Sequence, residues 1–255
     1  MIKIVTFNIR CDYGMDGENN FEYRKDLISR KIYAEQPDIL CFQEVLPHVA
    51  AWLREVLTDY YVIGCGREAS LQGEQTTVAY RRERLNLISM ESYWLSETPE
   101  QPGSRYSEQS NCPRICTEVV LQDQDSGQVF RLVNTHLDHI GAGARILGLK
   151  QILQKLSQET FFCSVPTILA GDMNAEPDSE EIRVFEQFPG YINATKGIGV
   201  TFHAFGKKEE EMSIDYIFLK SCSCKKIEKW TEQEGSVYLS DHYPVCAWIE
   251  FPNQS

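Results

Sequence analysis

The sequence predicts an α/β (α+β) chain folded as a four-layer α/β/β/α sandwich, in which two mixed β-sheets pack face to face and helices cover their outer sides. Two patterns predict this class. Apolar strand-like runs outnumber the amphipathic helical segments, and the elements divide into two similar halves. The chain has 255 residues and contains no repeat or Pro-, Gly- or Ser-rich linker. We therefore expect residues 1–255 to form one domain around one large core.

The first half alternates between strands and helices. An apolar strand covers residues 2–8, and a helix is predicted at 23–35 because Leu27, Ile28 and Ile32 share one face. A short buried strand and a second helix follow at residues 38–43 and 48–57. Four further strands are predicted, the last two joined by an Asp-Ser-Gly turn, at residues 76–80, 85–90, 115–121 and 129–135.

The second half repeats this pattern with fewer strands. Helices are predicted at about 144–158 and near 179–186, with a strand at 167–170 between them. Three more strands are predicted at residues 214–219, 224–229 and 245–251.

The composition is that of a globular protein, with 42% apolar and 24% charged residues. The N-terminus alternates like a strand and lacks the apolar stretch of a signal peptide. No segment approaches the roughly 20 apolar residues that a membrane span requires. We therefore expect a soluble, monomeric, cytoplasmic protein.

The nine cysteines are an odd number and lie mostly within strand-like runs. This favours reduced, buried thiols over a disulfide framework. No CxxC spacing with a matching Cys or His pair is present, which disfavours a zinc site. The residues concerned are Cys11, Cys41, Cys65, Cys112, Cys116, Cys163, Cys222, Cys224 and Cys246.

The net charge of −12 bears on the substrate. An acidic surface repels a nucleic-acid backbone at long range, and no basic patch compensates for it. The charge therefore disfavours a general nuclease and favours a small or exposed phosphate ester.

Polar residues capable of chemistry fall at the ends of five apolar strands. They are Asn8, Glu44, His136, the pair Asp172 and Asn174, and the pair Asp241 and His242. Strand ends on one rim of a sandwich converge, so we expect these side chains to meet in one cleft. The alternative for each residue alone is a turn, a cap or a solvated strand end.

These residue types suit metal-assisted hydrolysis. Mg²⁺ prefers oxygen ligands and retains water, which suits Glu44, with Asp241 as a second ligand and Asn8 holding them or a water. One of Asp172 and Asn174 would orient or deprotonate the attacking water while the other donates to the phosphate. His136 and His242, when protonated, would stabilise phosphoryl charge. Asp215 lies inside an apolar strand and needs a partner, for which we predict His242.

In their order along the chain, these motifs resemble the endonuclease/exonuclease/phosphatase (EEP, DNase I-like) superfamily, which includes pancreatic deoxyribonuclease, inositol polyphosphate 5-phosphatases and poly(A) deadenylases. The matching blocks are Thr6-Phe7-Asn8-Ile9-Arg10, Gln43-Glu44, Asn134-Thr135-His136-Leu137, Gly171-Asp172-Met173-Asn174, Thr201-Phe202, Ile214-Asp215-Tyr216 and Ser240-Asp241-His242-Tyr243-Pro244. The resemblance implies a DNase I-like fold and Mg²⁺-dependent phosphate-ester hydrolysis, with Mn²⁺ as an alternative metal. It also implies that Asn8, Glu44, Asp172, Asn174 and Asp241 hold the metal and water, and that Asp215 and His242 form an Asp–His pair.

Further blocks resemble small bacterial members that carry a Trp-Leu-Ser-Glu-Thr-Pro segment, here residues 94–99. By this resemblance Glu74 is the carboxylate that pairs with His136. Substrate phosphate would be bound by Arg67, Arg114, Arg145 and His139. Surface salt bridges are the alternative for the three arginines, and Asp138, beside His139, borders the cleft or caps a helix.

Two departures from these bacterial members are predicted to touch the substrate rim: Met212-Ser213, where an arginine is usual, and Cys116-Thr117-Glu118, where an aromatic is usual. The first functional hypothesis is hydrolysis of a small or exposed phosphomonoester or phosphodiester. The second is a nuclease acting on RNA or DNA ends. The third, from another class, is a catalytically inactive binding scaffold.

Overall fold

The computed structural model describes residues 1–158 and 164–252, and it confirms the predicted fold class. The elements of the first half are β1 (Ile2–Asn8), α1 (Phe21–Glu35), β2 (Ile39–Val45), α2 (Pro47–Val56), β3 (Tyr60–Ile63), β4 (Gln75–Arg81), β5 (Leu85–Trp94), β6 (Ile115–Asp123) and β7 (Val129–His136). Those of the second half are α3 (Ala142–Ser157), β8 (Thr167–Asp172), α4 (Glu180–Arg183), β9 (Tyr191–Asn193), β10 (Asp215–Lys220), β11 (Ser223–Lys229), β12 (Gln233–Glu234), β13 (Val237–Tyr238) and β14 (Val245–Glu250).

Two six-stranded sheets form the centre of the structure. The first has the order β11-β14-β1-β2-β4-β3, and the second has the order β5-β6-β7-β8-β10-β9. Both are mixed, because β1 pairs with β2 and β7 pairs with β8 in parallel while the other neighbours are antiparallel. The short strands β12 and β13 form a separate hairpin.

Three apolar clusters define the layers. The middle cluster lies between the sheets and joins residues such as Ile4 and Val78 to Leu132 and Ile168. Helices α1 and α2 bury their apolar faces on the outer side of the first sheet. Helices α3 and α4 do the same on the second sheet. This arrangement leaves the strand ends at the rim free to carry polar side chains.

Most predicted elements lie within a few residues of the observed ones, with three informative differences. The strand predicted at 85–90 continues to Trp94, because β5 is a sheet edge that does not need apolar residues on both faces. The helix predicted at 179–186 divides into α4 and a 3₁₀ helix, Val184–Gln187. The sequence prediction missed β3 and β9, which are only 4 and 3 residues long.

Eight of the nine cysteines are described, and all eight are free thiols. The ninth, Cys163, lies outside the described residues. Burial raises the pKa of Cys41 and the pKa of Cys116. Within residues 1–158 and 164–252, no helix is long and apolar enough to cross a membrane.

Asn134 on β7 links the two sheets just below the rim. Its Nδ2 donates to the carbonyl oxygens of Phe42, at 2.8 Å, and Thr77, at 3.0 Å, and its Oδ1 accepts from Gln43 Nε2 at 2.7 Å. Asn134→Ala removes all three of these buried hydrogen bonds, although Gln43 Nε2 keeps its contacts with Thr6 Oγ1 and the carbonyl oxygen of Cys41. We therefore expect the free energy of unfolding to fall by about 3 kcal/mol, as measured by urea denaturation.

The matched control is Asn86→Ala, because Asn86 is exposed on β5. We expect it to change the free energy of unfolding by less than about 0.5 kcal/mol. Equal losses from both variants would show that the inter-sheet hydrogen bonds of Asn134 contribute little.

Candidate active site

The site lies along one rim of the sandwich, where strands of the two sheets face each other. β4 packs against β6, β2 against β7, β1 against β8, and β14 against β10. The second sheet aligns its side chains in register, since His136 pairs with Asp172, and Asp172 pairs with Asp215. A cleft of about 250 Å³ opens along this rim. Its lining includes predicted residues from both sheets: Glu44, Arg67, Glu74, Arg114, His136, His139, Asp172, Asn174, Asp241 and His242.

A β-bulge turns Glu44 toward this cleft. In the pairing of β2 with β4, Phe42 lies opposite Thr77 and Val45 opposite Gln75, so that Gln43 and Glu44 both face Thr76. Glu44 consequently adopts a left-handed backbone with φ 63°. Its Oε2 accepts from the backbone N–H of Cys11 at 2.8 Å. The bulge thus fixes a carboxylate at the rim at the cost of local backbone strain.

Asn8 at the end of β1 connects the carboxylates of the two sheets. Its Nδ2 donates to Glu44 Oε1 at 3.1 Å and to Asp172 Oδ2 at 3.0 Å, and its Oδ1 accepts from the backbone N–H of Arg10 at 3.0 Å. Both ends of the amide are therefore occupied. Of the two roles predicted for Asn8, this arrangement favours holding the carboxylates over binding a metal directly.

Asp172 lies at the centre of the rim. Its Oδ1 accepts from the backbone N–H of Asn174 at 2.9 Å, and its Oδ2 lies 3.5 Å from His136 Nε2 and 3.8 Å from His242 Nε2. Burial and the neighbouring Asp215 raise the pKa of Asp172 to about 7. A carboxyl group held in this way is suited to accepting a proton near neutral pH.

The predicted contact between Asp215 and His242 is present. Asp215 Oδ2 lies 2.8 Å from His242 Nδ1, and both residues are buried. Burial lowers the pKa of His242, but the carboxylates of Asp215, Asp241 and Asp172 outweigh it and raise that pKa to about 10. This pKa favours the protonated form of His242 beside Asp172.

The environment of His136 differs from the prediction in two ways. Glu74 does not pair with it, because both Glu74 oxygens accept from the Arg67 guanidinium at 2.6 and 2.9 Å. His136 Nε2 instead accepts from Asn174 Nδ2 at 3.0 Å. Burial and the nearby charge of Arg114 lower the pKa of His136 well below its usual value. This environment favours the neutral imidazole over the protonated His136 that the sequence predicted.

The side chain of Asn174 holds neighbouring groups in the site. Besides its contact with His136, its Nδ2 donates to the carbonyl oxygen of Leu137 at 3.0 Å. Its backbone is left-handed, with φ 47°. Asn174 thus orders the segments that follow β7 and β8, whereas the sequence predicted a donor to the substrate.

The predicted substrate-binding residues divide into two groups. Arg67, Arg114 and His139 line the cleft, and Arg114 Nη2 lies 2.8 Å from His139 Nδ1. Arg145 does not line it, because its guanidinium donates to Glu181 at 2.6 and 2.8 Å and so joins α3 to the start of α4. The salt-bridge alternative is therefore the correct one for Arg145.

The remaining predictions about the rim of the cleft, which concern Asp138, Met212 and Cys116, have different outcomes. Asp138 Oδ2 accepts from the backbone N–H groups of Ile140 and Gly141, so it orders the turn before α3 and does not bond to the N–H groups of the first helical turn. Met212 lines the cleft and is 37% exposed. Cys116 is fully buried in the core on β6, so the prediction that it touches the substrate rim was wrong.

Sequence reasoning did not assign Arg10, Phe202 and Tyr13 to the site, nor the further lining residues Cys11, Cys112 and Ile214. Arg10 lies 3.6 Å from Asp241 and also pairs with Asp16. Phe202 lines the cleft, and its ring centroid is 4.9 Å from that of His242. Tyr13 donates to Glu74 Oε1 at 3.0 Å. Arg10 and Phe202 belong to the sequence motifs that resemble the superfamily, and this position could have identified them. No feature of the sequence indicated Tyr13.

The oxygen donors of the cleft fit a hard divalent cation. A buried cluster of Asp172, Asp215 and His242 presents ligand atoms that all lie within 4.8 Å of one another. The surrounding carboxylates raise the pKa of His242 to about 10 and its Nδ1 contacts Asp215, however, whereas a metal binds the neutral imidazole. The carboxylates of Glu44 and Asp241 suit the cation better. Burial and the charge of Glu44 raise the pKa of Asp241, and a cation between them would relieve this repulsion.

Comparisons with known proteins agree with this geometry. The model of a family described as the Endonuclease/Exonuclease/phosphatase family matches residues 5–242. Among solved structures, an endonuclease/exonuclease/phosphatase from Bacteroides vulgatus is 31% identical with a TM-score of 0.92, over 98% of this chain and 99% of that one. A mannosyl-6-phosphatase from Bacteroides thetaiotaomicron is 26% identical with a TM-score of 0.89, over 98% and 100%.

A eukaryotic relative matches over a shorter region. Nocturnin from Mus musculus is 26% identical over 206 residues, which are 72% of this chain and 46% of nocturnin. This chain therefore spans less than half the length of that relative.

Proposed function

Since this chain belongs to the Endonuclease/Exonuclease/phosphatase family, whose named activities all break phosphate esters, we propose that it hydrolyses a small phosphate ester with Mg²⁺ and a water oriented by Asp172. The supporting observation is the position of Asp172. Its carboxylate is held by Asn8 and the backbone of Asn174 and lies between His136 and His242. A group so fixed is prepared to align a water for in-line attack.

In this proposal Glu44 and Asp241 hold the cation, and Asn8 fixes the position of Glu44 relative to Asp172. When bound, the ion supplies a Lewis acid that polarises a phosphate oxygen and stabilises the leaving oxygen. Mg²⁺ is our choice because the donors are carboxylates, and Mn²⁺ accepts the same ligands.

The two histidines then have different tasks. His242, kept charged by Asp215, stabilises negative charge that develops on the phosphoryl oxygens. His136 is neutral, and its Nε2 accepts from Asn174, so it orders the rim near Asp172 rather than supplying charge. Asp172 accepts the proton of the attacking water, which attacks phosphorus directly without a phosphoenzyme.

A small substrate is favoured over a nucleic acid. The net charge of −12 opposes long-range attraction of a polyanion. A relative that covers nearly the whole chain is named as a mannosyl-6-phosphatase. The alternative is a nuclease that acts on RNA or DNA ends, which the family name permits. Weak dependence of KM on salt supports the small substrate, whereas a steep rise with salt supports the nuclease.

The test is a substrate panel with the purified chain. Phosphorylated sugars, nucleotides, phosphodiesters and short oligonucleotides are incubated with Mg²⁺ or Mn²⁺. We expect hydrolysis of at least one small ester that EDTA abolishes and added Mg²⁺ restores. Hydrolysis that is insensitive to chelation would refute the proposed mechanism, and metal-dependent cleavage of oligonucleotides alone would select the nuclease.

A further inference from the structure

Arg114 is a buried arginine of the cleft whose hydrogen-bonding capacity is only partly used. It is 4% exposed and lines the cleft. Nη2 contacts His139, and Nε lies 3.5 Å from Asp138 Oδ1. Among the described residues, neither Nη1 nor Nε has a hydrogen-bond partner. Leaving buried charged donors unpaired is costly, so this arrangement points to an anionic ligand that supplies the acceptors.

The fold places Arg114 within reach of the reaction centre. It directly precedes β6, which pairs with β7, and β7 pairs with β8. Adjacent strands are about 4.8 Å apart, so Arg114 lies one strand from His136 and two from Asp172. All three residues line the same cleft. A phosphate beside Asp172 can therefore present an oxygen to the guanidinium.

The rim has a different character on the other side of Asp172. Phe202, Met212 and Ile214 line the cleft there, next to His242 and the start of β10. These apolar side chains suit the carbon part of an ester. The Arg67–Glu74 ion pair borders the Arg114 side, so that Arg114 rather than Arg67 has donors to offer. The cleft thus offers guanidinium donors on one side of the reaction centre and apolar side chains on the other.

A terminal phosphate matches this polarity better than an internal one. A phosphomonoester has three non-bridging oxygens and close to two negative charges at neutral pH. A phosphodiester has two non-bridging oxygens and one charge, and its second substituent would have to face Arg114. Guanidinium geometry matches phosphate oxygens closely.

We propose that Arg114 binds the third non-bridging oxygen of a terminal phosphate and makes this enzyme a phosphomonoesterase. This inference rests on the proposed function. Water oxygen forms the new bond to phosphorus as the bond to the alcohol oxygen breaks. Asp172 takes one proton from the water and later releases it to solvent, the leaving alcohol oxygen gains one from solvent, and the products are the alcohol and inorganic phosphate. Arg114 contacts the phosphoryl group throughout, and the alcohol lies toward Phe202 and Met212.

The test compares two substrates that differ at one oxygen. p-Nitrophenyl phosphate and methyl p-nitrophenyl phosphate share a leaving group, but the second carries a methyl group on a non-bridging oxygen. With Mg²⁺, we expect Arg114→Gln to lower kcat/KM for the monoester by about 10- to 100-fold, and for the diester by less than about 3-fold. Arg114→Lys keeps the positive charge but lacks the planar set of guanidinium N–H donors. We therefore expect an intermediate loss of kcat/KM for the monoester.

Arg84→Gln is the matched control, because Arg84 pairs with Asp123 at the opposite end of the strands. It should change neither substrate's kcat/KM. Binding of inorganic phosphate gives a second measurement that does not need turnover. With Mg²⁺ present, phosphate should raise the unfolding midpoint of the wild-type chain more than that of Arg114→Gln, whereas equal shifts would overturn the inference.

The outcomes separate this inference from the proposed function. If both substrates are hydrolysed with Mg²⁺ and Arg114→Gln slows them equally, the inference is wrong and the proposed function stands. If only the diester is hydrolysed, the inference is also wrong. If metal-dependent hydrolysis of any phosphate ester is absent, the proposed function fails and the inference falls with it.

Discussion

Asp172→Asn is expected to lower kcat by about 10²- to 10⁴-fold, the usual contribution of a positioned general base. The amide is nearly isosteric with the carboxyl group and retains an oxygen that accepts from Asn8 or from the backbone of Asn174. It cannot accept the proton of the attacking water. We expect KM to change much less than kcat, because the interaction with the water is made mainly in the transition state. Steady-state kinetics on the best substrate of the panel measure both.

Asp123→Asn provides the comparison for Asp172→Asn. Asp123, like Asp172, is a 2% exposed aspartate at the end of a strand. It ends β6 on the side of the sheet away from the cleft, however, and pairs with Arg84. We expect this variant to lose stability and to keep its turnover per folded molecule. Turnover by Asp172→Asn within about threefold of wild type would exclude Asp172 as the base.

Glu44→Gln is expected to weaken Mg²⁺ binding by at least about 100-fold. Replacing a residue that only hydrogen-bonds to a metal ligand already lowers metal affinity by about 10- to 100-fold, and Glu44 is proposed as a ligand itself. The substitution removes one negative charge from the rim while keeping an oxygen for Asn8 or Cys11. Titration calorimetry measures the affinity directly. The shift of the unfolding midpoint with Mg²⁺ measures it independently of catalysis, because a ligand that binds only the folded state stabilises it.

The matched variant for Glu44→Gln is Glu35→Gln. Glu35 ends α1 and pairs with Lys3 and Lys31, outside the cleft lining. We expect it to leave Mg²⁺ affinity unchanged. If Glu44→Gln also binds Mg²⁺ with wild-type affinity, the cation is held elsewhere, and the cluster of Asp172, Asp215 and His242 becomes the site to test.

The location of the site could be predicted because the ends of buried strands can be recognised in the sequence. An apolar run followed by a polar residue marks where a buried strand reaches the rim, as at His136 and Asp172. The need of a buried carboxylate for a partner likewise predicted the contact between Asp215 and His242. Both arguments require only the periodicity of one strand and the cost of burying a charge.

The partners of other residues depend on loop contacts and strand register, which the hydrophobic periodicity of a single strand does not reveal. Arg67 and Glu74 meet because the loop between β3 and β4 brings their backbones together, with the N–H of Arg67 donating to the carbonyl of Glu74 at 3.1 Å. This pairing leaves His136 without a carboxylate from Glu74. The bulge at Glu44 arises from the register of β2 against β4, which the sequence of β2 alone does not specify.

The arrangement of opposing strands has a consequence for how activity appears during folding. Asn8 and Glu44 lie on the first sheet and Asp241 just precedes its strand β14, whereas His136, Asp172 and Asp215 lie on the second sheet. Neither sheet carries the whole catalytic group by itself, so the group forms only when the sheets dock. Catalytic competence should therefore return in the last phase of refolding, together with burial of the inter-sheet core.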